Sequence, residues 1–141
     1  MFRFAMIAAA VLLSASPVLA NEGESASPAT KGPRDAPAQI ISTSHGIMLV
    51  DPKGMTLYYF DRDDTGNKSN CDGACRQRWT PLAAPADAQA TGDFTVIVRS
   101  DGSKMWAYRY RPLYTSQADK VPGDANGAGA TTLWHIARPS Y

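Results

Sequence analysis

From residue 40 onward, short apolar runs alternate with polar breaks carrying Gly, Pro, Asn or Asp. Such punctuation marks strands and turns rather than helices. His45-Gly-Ile-Met-Leu-Val-Asp51 has strand length, Pro52-Lys-Gly54 supplies a turn, and Met55-Thr-Leu-Tyr-Tyr-Phe60 is aromatic and β-favouring. The pair is predicted as a β-hairpin. Phe94, Val96 and Val98 then recur with period two on one face. Ser100-Asp-Gly-Ser103 turns the chain, and Lys104 to Tyr110 returns as the second strand of another hairpin.

Arg111-Pro-Leu-Tyr114 reads as extended, because Pro112 disfavours helix around it. Pro122 to Ala130 is loop, and Thr131 to Ala137 is a last strand. One short helix is expected near residues 72–79, capped by Asp72 and stopped by Pro81. The predicted class is all-β, built mostly of antiparallel hairpins.

The two halves match. Tyr58 is followed by Asp63 after five residues and Trp79 after sixteen more. Tyr114 is followed by Asp119 after five and Trp134 after fifteen. The spacing suggests two degenerate repeats, about 45–82 and about 93–139, packed as one small domain over residues 40–139.

The N-terminus changes the setting. Arg3, an apolar run from about Ala5 to Leu13, and small residues ending at Ala20 have the order of a signal peptide over residues 1–20, cleaved after Ala20. Residues 21–39 are Pro- and Ser-bearing without apolar period, and read as a flexible linker. Removing residues 1–20 from 141 leaves 121 and takes away Arg3, one of 14 basic residues; 13 acidic residues remain, so the expected mature charge is zero. A neutral chain offers no electrostatic case for nucleic acid. Without a second long apolar run, no stable membrane insertion is expected. The expected location is periplasmic or secreted.

Tyr58-Tyr-Phe60-Asp-Arg-Asp63 fits a Tyr-x-[Phe/Trp/Tyr]-x-x-Asp motif. Cys71-Asp-Gly-Ala-Cys75 with Trp79-Thr-Pro-Leu82, and the run from Asp101 through Pro112-Leu-Tyr114 and Asp119 to Trp134-His135, follow the same scheme. Together they resemble a bacterial secreted or lipoprotein repeat family of unknown function. The second unit departs from the motif with Ser116 where an aromatic is usual, and Thr80 stands in place of Pro. The resemblance implies two copies per domain and an envelope location, and no activity.

Three groups of residues have candidate chemistry. Cys71 and Cys75, the only cysteines, read as a structural disulfide in an oxidising compartment. Two alternatives stay open: redox-active thiols, or a copper site completed by His135, His45 or one of Met48, Met55 and Met105. The loop 61–72 places Asp61, Asp63, Thr65, Asn67, Ser69 and Asp72 near calcium-loop spacing, with Gly66 at the sixth position. The motif residues Tyr58, Phe60, Asp63, Tyr114, Asp119, Trp79 and Trp134 form either a core or a ligand surface. No familiar catalytic template occurs.

The expected function is a non-catalytic binding or interaction module of the envelope. It would need no cofactor, and its partner would be an unidentified envelope protein or small ligand. The alternative is a thiol-redox or copper-handling protein built on Cys71 and Cys75.

Overall fold

The computed structural model describes residues 36–63, 68–129 and 131–139. The signal peptide read at 1–20, most of the linker, and Thr65 and Asn67 of the calcium-like loop lie outside the described residues. Nine short strands are described: β1 (Gln39–Thr43), β2 (Gly46–Val50), β3 (Leu57–Phe60), β4 (Trp79–Pro81), β5 (Phe94–Val98), β6 (Lys104–Tyr108), β7 (Arg111–Pro112), β8 (Tyr114–Ser116) and β9 (Trp134–Ile136). A 3₁₀ turn spans Gly73–Gln77. The fold is all-β and antiparallel, as predicted.

The central sheet has the order β4-β8-β3-β9. That order interleaves the repeats. The Trp79 strand of the first repeat pairs with β8 of the second, and the Trp134 strand of the second pairs with β3 of the first. At the centre, Tyr58 lies directly opposite Tyr114. A shift of 56 residues exchanges these two positions, so a pseudo-twofold axis passes between them.

The flanking contacts obey the same axis. Leu82 N–H donates to the Leu113 carbonyl, and Trp106 N–H to the Leu82 carbonyl. Ala137 N–H donates to the Leu57 carbonyl, and Leu49 N–H to the Ala137 carbonyl. Each repeat therefore completes the other. A repeat whose Trp strand folded back on its own Tyr strand would pair β4 with β3 and β9 with β8. The structure exchanges them instead, because β3 and β8 occupy each other's inner edge and leave only the outer edges open.

The β5–β6 hairpin forms with Val98 opposite Lys104. The first predicted hairpin does not form as drawn. Between β2 and β3 there is a single bridge, Val50–Thr56, and the ladder partner of β2 is β1. The Asp51 carboxylate accepts from the N–H groups of Lys53 and Met55, both at 2.9 Å, and closes the loop locally. Strand β1 begins at Gln39, inside the stretch read as linker, with Pro37 and Ala38 buried before it.

The helix expected near 72–79 is the 3₁₀ turn alone, and Trp79 opens β4. Asp72 makes no side-chain cap bond. Its carboxylate accepts instead from Arg99 at 2.6 Å and from Ser100 at 2.9 Å. On β5 the apolar stripe is not the inner face: Val98 is 61% exposed, while Ile97 and Arg99 are buried. An arginine holding a carboxylate and a carbonyl outbid the valine for the interior.

Two clusters form the core. One joins Tyr58, Cys71, Trp79, Ile97, Met105, Ala107, Tyr114 and Trp134. The other joins Ala38, Leu49, Leu57, Leu113 and Ala137. Both mix residues of the two repeats.

Candidate functional site

The motif residues meet in the interior. Tyr58 and Tyr114 are fully buried, and each phenol donates to the aspartate of the other repeat: Tyr58 Oη to Asp119 Oδ2 and Tyr114 Oη to Asp63 Oδ2, both at 2.8 Å. The second oxygen of each aspartate accepts a backbone N–H seven residues on, from Asn70 to Asp63 and from Asn126 to Asp119, both at 2.7 Å. Ser69 Oγ lies 2.6 Å from Tyr114 Oη, and Gly127 N–H donates to Tyr58 Oη at 3.2 Å.

Burial pushes both phenols well above the ordinary tyrosine range. They stay protonated, as donors to carboxylates must. Burial also raises the Asp63 carboxyl, against the lowering pull of the Asn70 N–H and Tyr114 O–H bonds. Every polar atom of this network has an internal partner, so it holds the repeats together.

Beside it the rings stack. Phe60 lies on Trp134 with centroids 4.4 Å apart, and Trp134 on Trp79 at 3.7 Å. Tyr58 and Tyr114 meet Trp79 and Trp134 edge-on. Ser116, the equivalent of Phe60, sits opposite Trp79 and has no ring to add. A cavity of about 380 Å³ opens there, lined by Arg78, Trp79, Ser116, Gln117, Ala118, Thr131 and Trp134.

Cys71 and Cys75 are joined as a disulfide across the 3₁₀ turn, with Cα atoms 5.2 Å apart. Arg99, 4% exposed, fastens this segment. Its guanidinium donates to the Cys71 carbonyl at 2.8 Å, to Asp72, and to Ser69 Oγ at 3.3 Å.

The other metal candidates are separated. His135 Nε2 lies 2.7 Å from Asp61 Oδ2, and its ring stacks on Tyr59. Asp63 faces Tyr114, and Asp72 faces Arg99. Among the described residues no group of three or more His, Cys, Asp or Glu is gathered as a metal would need.

A second concavity was not visible in the sequence. It measures about 590 Å³ and is lined by Tyr59, Tyr108, Arg109, Arg111, His135 and Arg138, with Trp134 and Ile136 of β9 also in its lining. The strands that bring these residues together come from both repeats. Arg111 lies over the Tyr59 ring, 4.4 Å from its centroid. Arg138 donates to the carbonyls of His45 and Ile47, both at 2.8 Å. Gly46, between these two carbonyls, holds φ at 89°, a conformation that favours glycine over residues with a side chain.

Arg109 pairs with Asp93 at 3.1 Å. It occupies a two-residue turn with Tyr110 in which both have positive φ, 47° and 65°. Such a turn ordinarily takes Asn-Gly. Four basic side chains thus share one groove with two acidic partners, Asp93 and Asp61. No described carboxylate pairs with Arg111 or Arg138. The signal that would have found them, Arg109-Tyr-Arg111 and Arg138, is legible only once β6 is known to pair with β7 and β9 with β3.

A family model described as a secreted repeat of unknown function matches twice, over residues 39–83 and 95–138. The two matches coincide with the halves related by the pseudo-twofold axis. No curated protein and no solved structure matches the chain. No described helix is long and apolar enough to cross a membrane.

Proposed function

We propose, on the premise that this chain belongs to the family of secreted repeats of unknown function, that it is an exported, non-catalytic binding module whose groove takes an anionic ligand. Export follows from the signal peptide, with cleavage after Ala20, and agrees with the family's secreted description. The observation that carries the reading is the groove of about 590 Å³ in which Arg111 has no carboxylate partner among the described residues and Arg138 meets only the His45 and Ile47 carbonyls. Guanidinium groups in a concavity favour carboxylate or phosphate oxygens, which they bind through paired N–H donors. Tyr59 and Tyr108 supply apolar walls. The buried tyrosines and aspartates are occupied with one another, which supports a structural role for them and not a reactive one.

Titration calorimetry with inorganic phosphate and with citrate tests the reading. Saturable binding that weakens as salt rises is expected. Arg111→Gln should reduce it without altering the far-ultraviolet spectrum, and the recovered ligand should be chemically unchanged. Absence of binding by both anions at low salt would refute the groove as an anion site.

A further inference from the structure

The molecule contains its own template for a second ligand. In the first repeat, Phe60 stacks on Trp134, and the residues next to each in sequence, Asp61 and Leu133, are joined by a backbone hydrogen bond. The pseudo-twofold axis carries these positions onto Ser116, Trp79, Arg78 and Gln117. The backbone confirms the correspondence: Asp61 N–H donates to the Leu133 carbonyl as Gln117 N–H donates to the Arg78 carbonyl. At the second position the ring is missing, and the cavity of about 380 Å³ lies against the Trp79 and Trp134 rings. That volume falls within the range of small-ligand sites.

Three differences between the halves define what fits. Ser116 in place of Phe60 removes a ring of phenyl size. Arg78 in place of Leu133 adds a cation at the rim; its side chain is exposed and has no partner among the described residues. Gln117 in place of Asp61 removes an acidic group that would repel an anion. The first change leaves a slot for a planar ring, which completes the series Phe60, Trp134, Trp79 by stacking. The other two favour negative charge on that ring's outer end.

We infer that this slot binds a small free aromatic acid, its ring filling the position of the absent phenyl and its carboxylate meeting Arg78. The site shares only Trp134 with the lining of the arginine groove and stands if the groove proves empty.

The test uses the full mature chain and tryptophan fluorescence with three probes: 3-phenylpropionate, its neutral amide, and 3-cyclohexylpropionate. The aromatic acid should bind and change the Trp79 emission, at least about tenfold more tightly than the amide, the size expected for a charge-assisted contact. The non-planar cyclohexyl acid should bind more weakly than the phenyl acid. Ser116→Phe should fill the slot and abolish binding while leaving phosphate binding at the groove unchanged. Arg78→Gln, an exposed change that leaves the core intact, should bring acid and amide within about twofold of each other. Failure of the phenyl acid to bind, equal binding by Ser116→Phe, or an unchanged acid preference in Arg78→Gln would each overturn the proposal.

Discussion

Tyr58 of the first repeat donates its phenolic proton to Asp119 of the second at 2.8 Å, and both residues are buried. The same bond recurs in mirror order between Tyr114 and Asp63. A motif that looks local in the sequence is therefore spent on the contact between repeats.

Tyr58→Phe removes the donor to a buried carboxylate and the acceptor of the Gly127 N–H. A hydrogen bond to a charged group contributes about 1.5–3 kcal/mol, and the stranded carboxylate adds to the loss. Urea unfolding should show a loss of about 2–3 kcal/mol. Tyr114→Phe should lose less, because Asp63 is only half-buried. A loss under about 0.5 kcal/mol for Tyr58→Phe would be incompatible with this geometry.

Alkaline pH should unfold the domain through the same pair. Both phenols are raised in the folded state, so their contribution to stability is complete below the unfolded tyrosine pKa near 10 and is lost above it. The loss approaches about 1.4 kcal/mol per pH unit per phenol. Melting temperature measured from pH 9 to 11 should fall, and Tyr58→Phe should flatten the fall. Asp63 has the opposite relation to acid: its raised carboxyl contributes stability that is present at low pH and fades as pH rises through its folded value. It should not drive acid unfolding. The lowered carboxyls of Asp101 and Asp124 act the other way, contributing above the usual carboxylate range and losing their effect as pH falls.

Gly127→Ala should be severe although Gly127 has no positive φ. A Cβ there would stand 2.8 Å from Trp79, 2.8 Å from Tyr58 and 2.9 Å from Ser116. Overpacking a closed core costs about 1–3 kcal/mol. A melting temperature within one or two degrees of the parent would show that the backbone near 127 can yield.

Tyr110→Gly should stabilise. Tyr110 is exposed and holds φ at 65°, a conformation that costs a side-chain-bearing residue about 1 kcal/mol and glycine almost nothing. A gain of a few tenths to one kcal/mol in urea unfolding is expected. A net loss would mean that its ring contributes more than the backbone strain.

A single cut between Asp87 and Ala90 should leave the domain assembled. The cut falls in the connector between repeats, while the hydrogen bonds of β4 to β8 and β3 to β9 cross between the two fragments. The fragments should co-elute in size exclusion and separate only in denaturant. Each fragment alone should lack the cooperative unfolding of the pair.

Much of the fold was legible because strand-length runs and turn residues are local signals. The β5–β6 hairpin and the 56-residue repeat followed from them. The exchange of Trp strands was not legible, since pairing between distant strands leaves no mark on spacing. Strand β1 was missed because Gln39 to Thr43 mixes exposed and half-buried positions beside a Pro-rich stretch. Arg99 was missed because period-two reading assigns the inner face to valines, whereas the buried carbonyl of Cys71 and the carboxylate of Asp72 draw a guanidinium inward. The disulfide was expected from compartment and spacing, and its turn geometry suits four-residue separation. The arginine groove depends on three strands meeting, which no linear pattern records.

The exchanged strands set a rule of parity. A lone repeat would carry an unpaired Trp strand and an open edge on its Tyr strand, the two surfaces that a second repeat covers. Two repeats satisfy each other and leave nothing over. A third repeat in tandem would find both Tyr strands, β3 and β8, already paired on each side and would have to recruit another molecule. Chains built on this plan should therefore lengthen by pairs, and a single-repeat relative should exist only as a dimer.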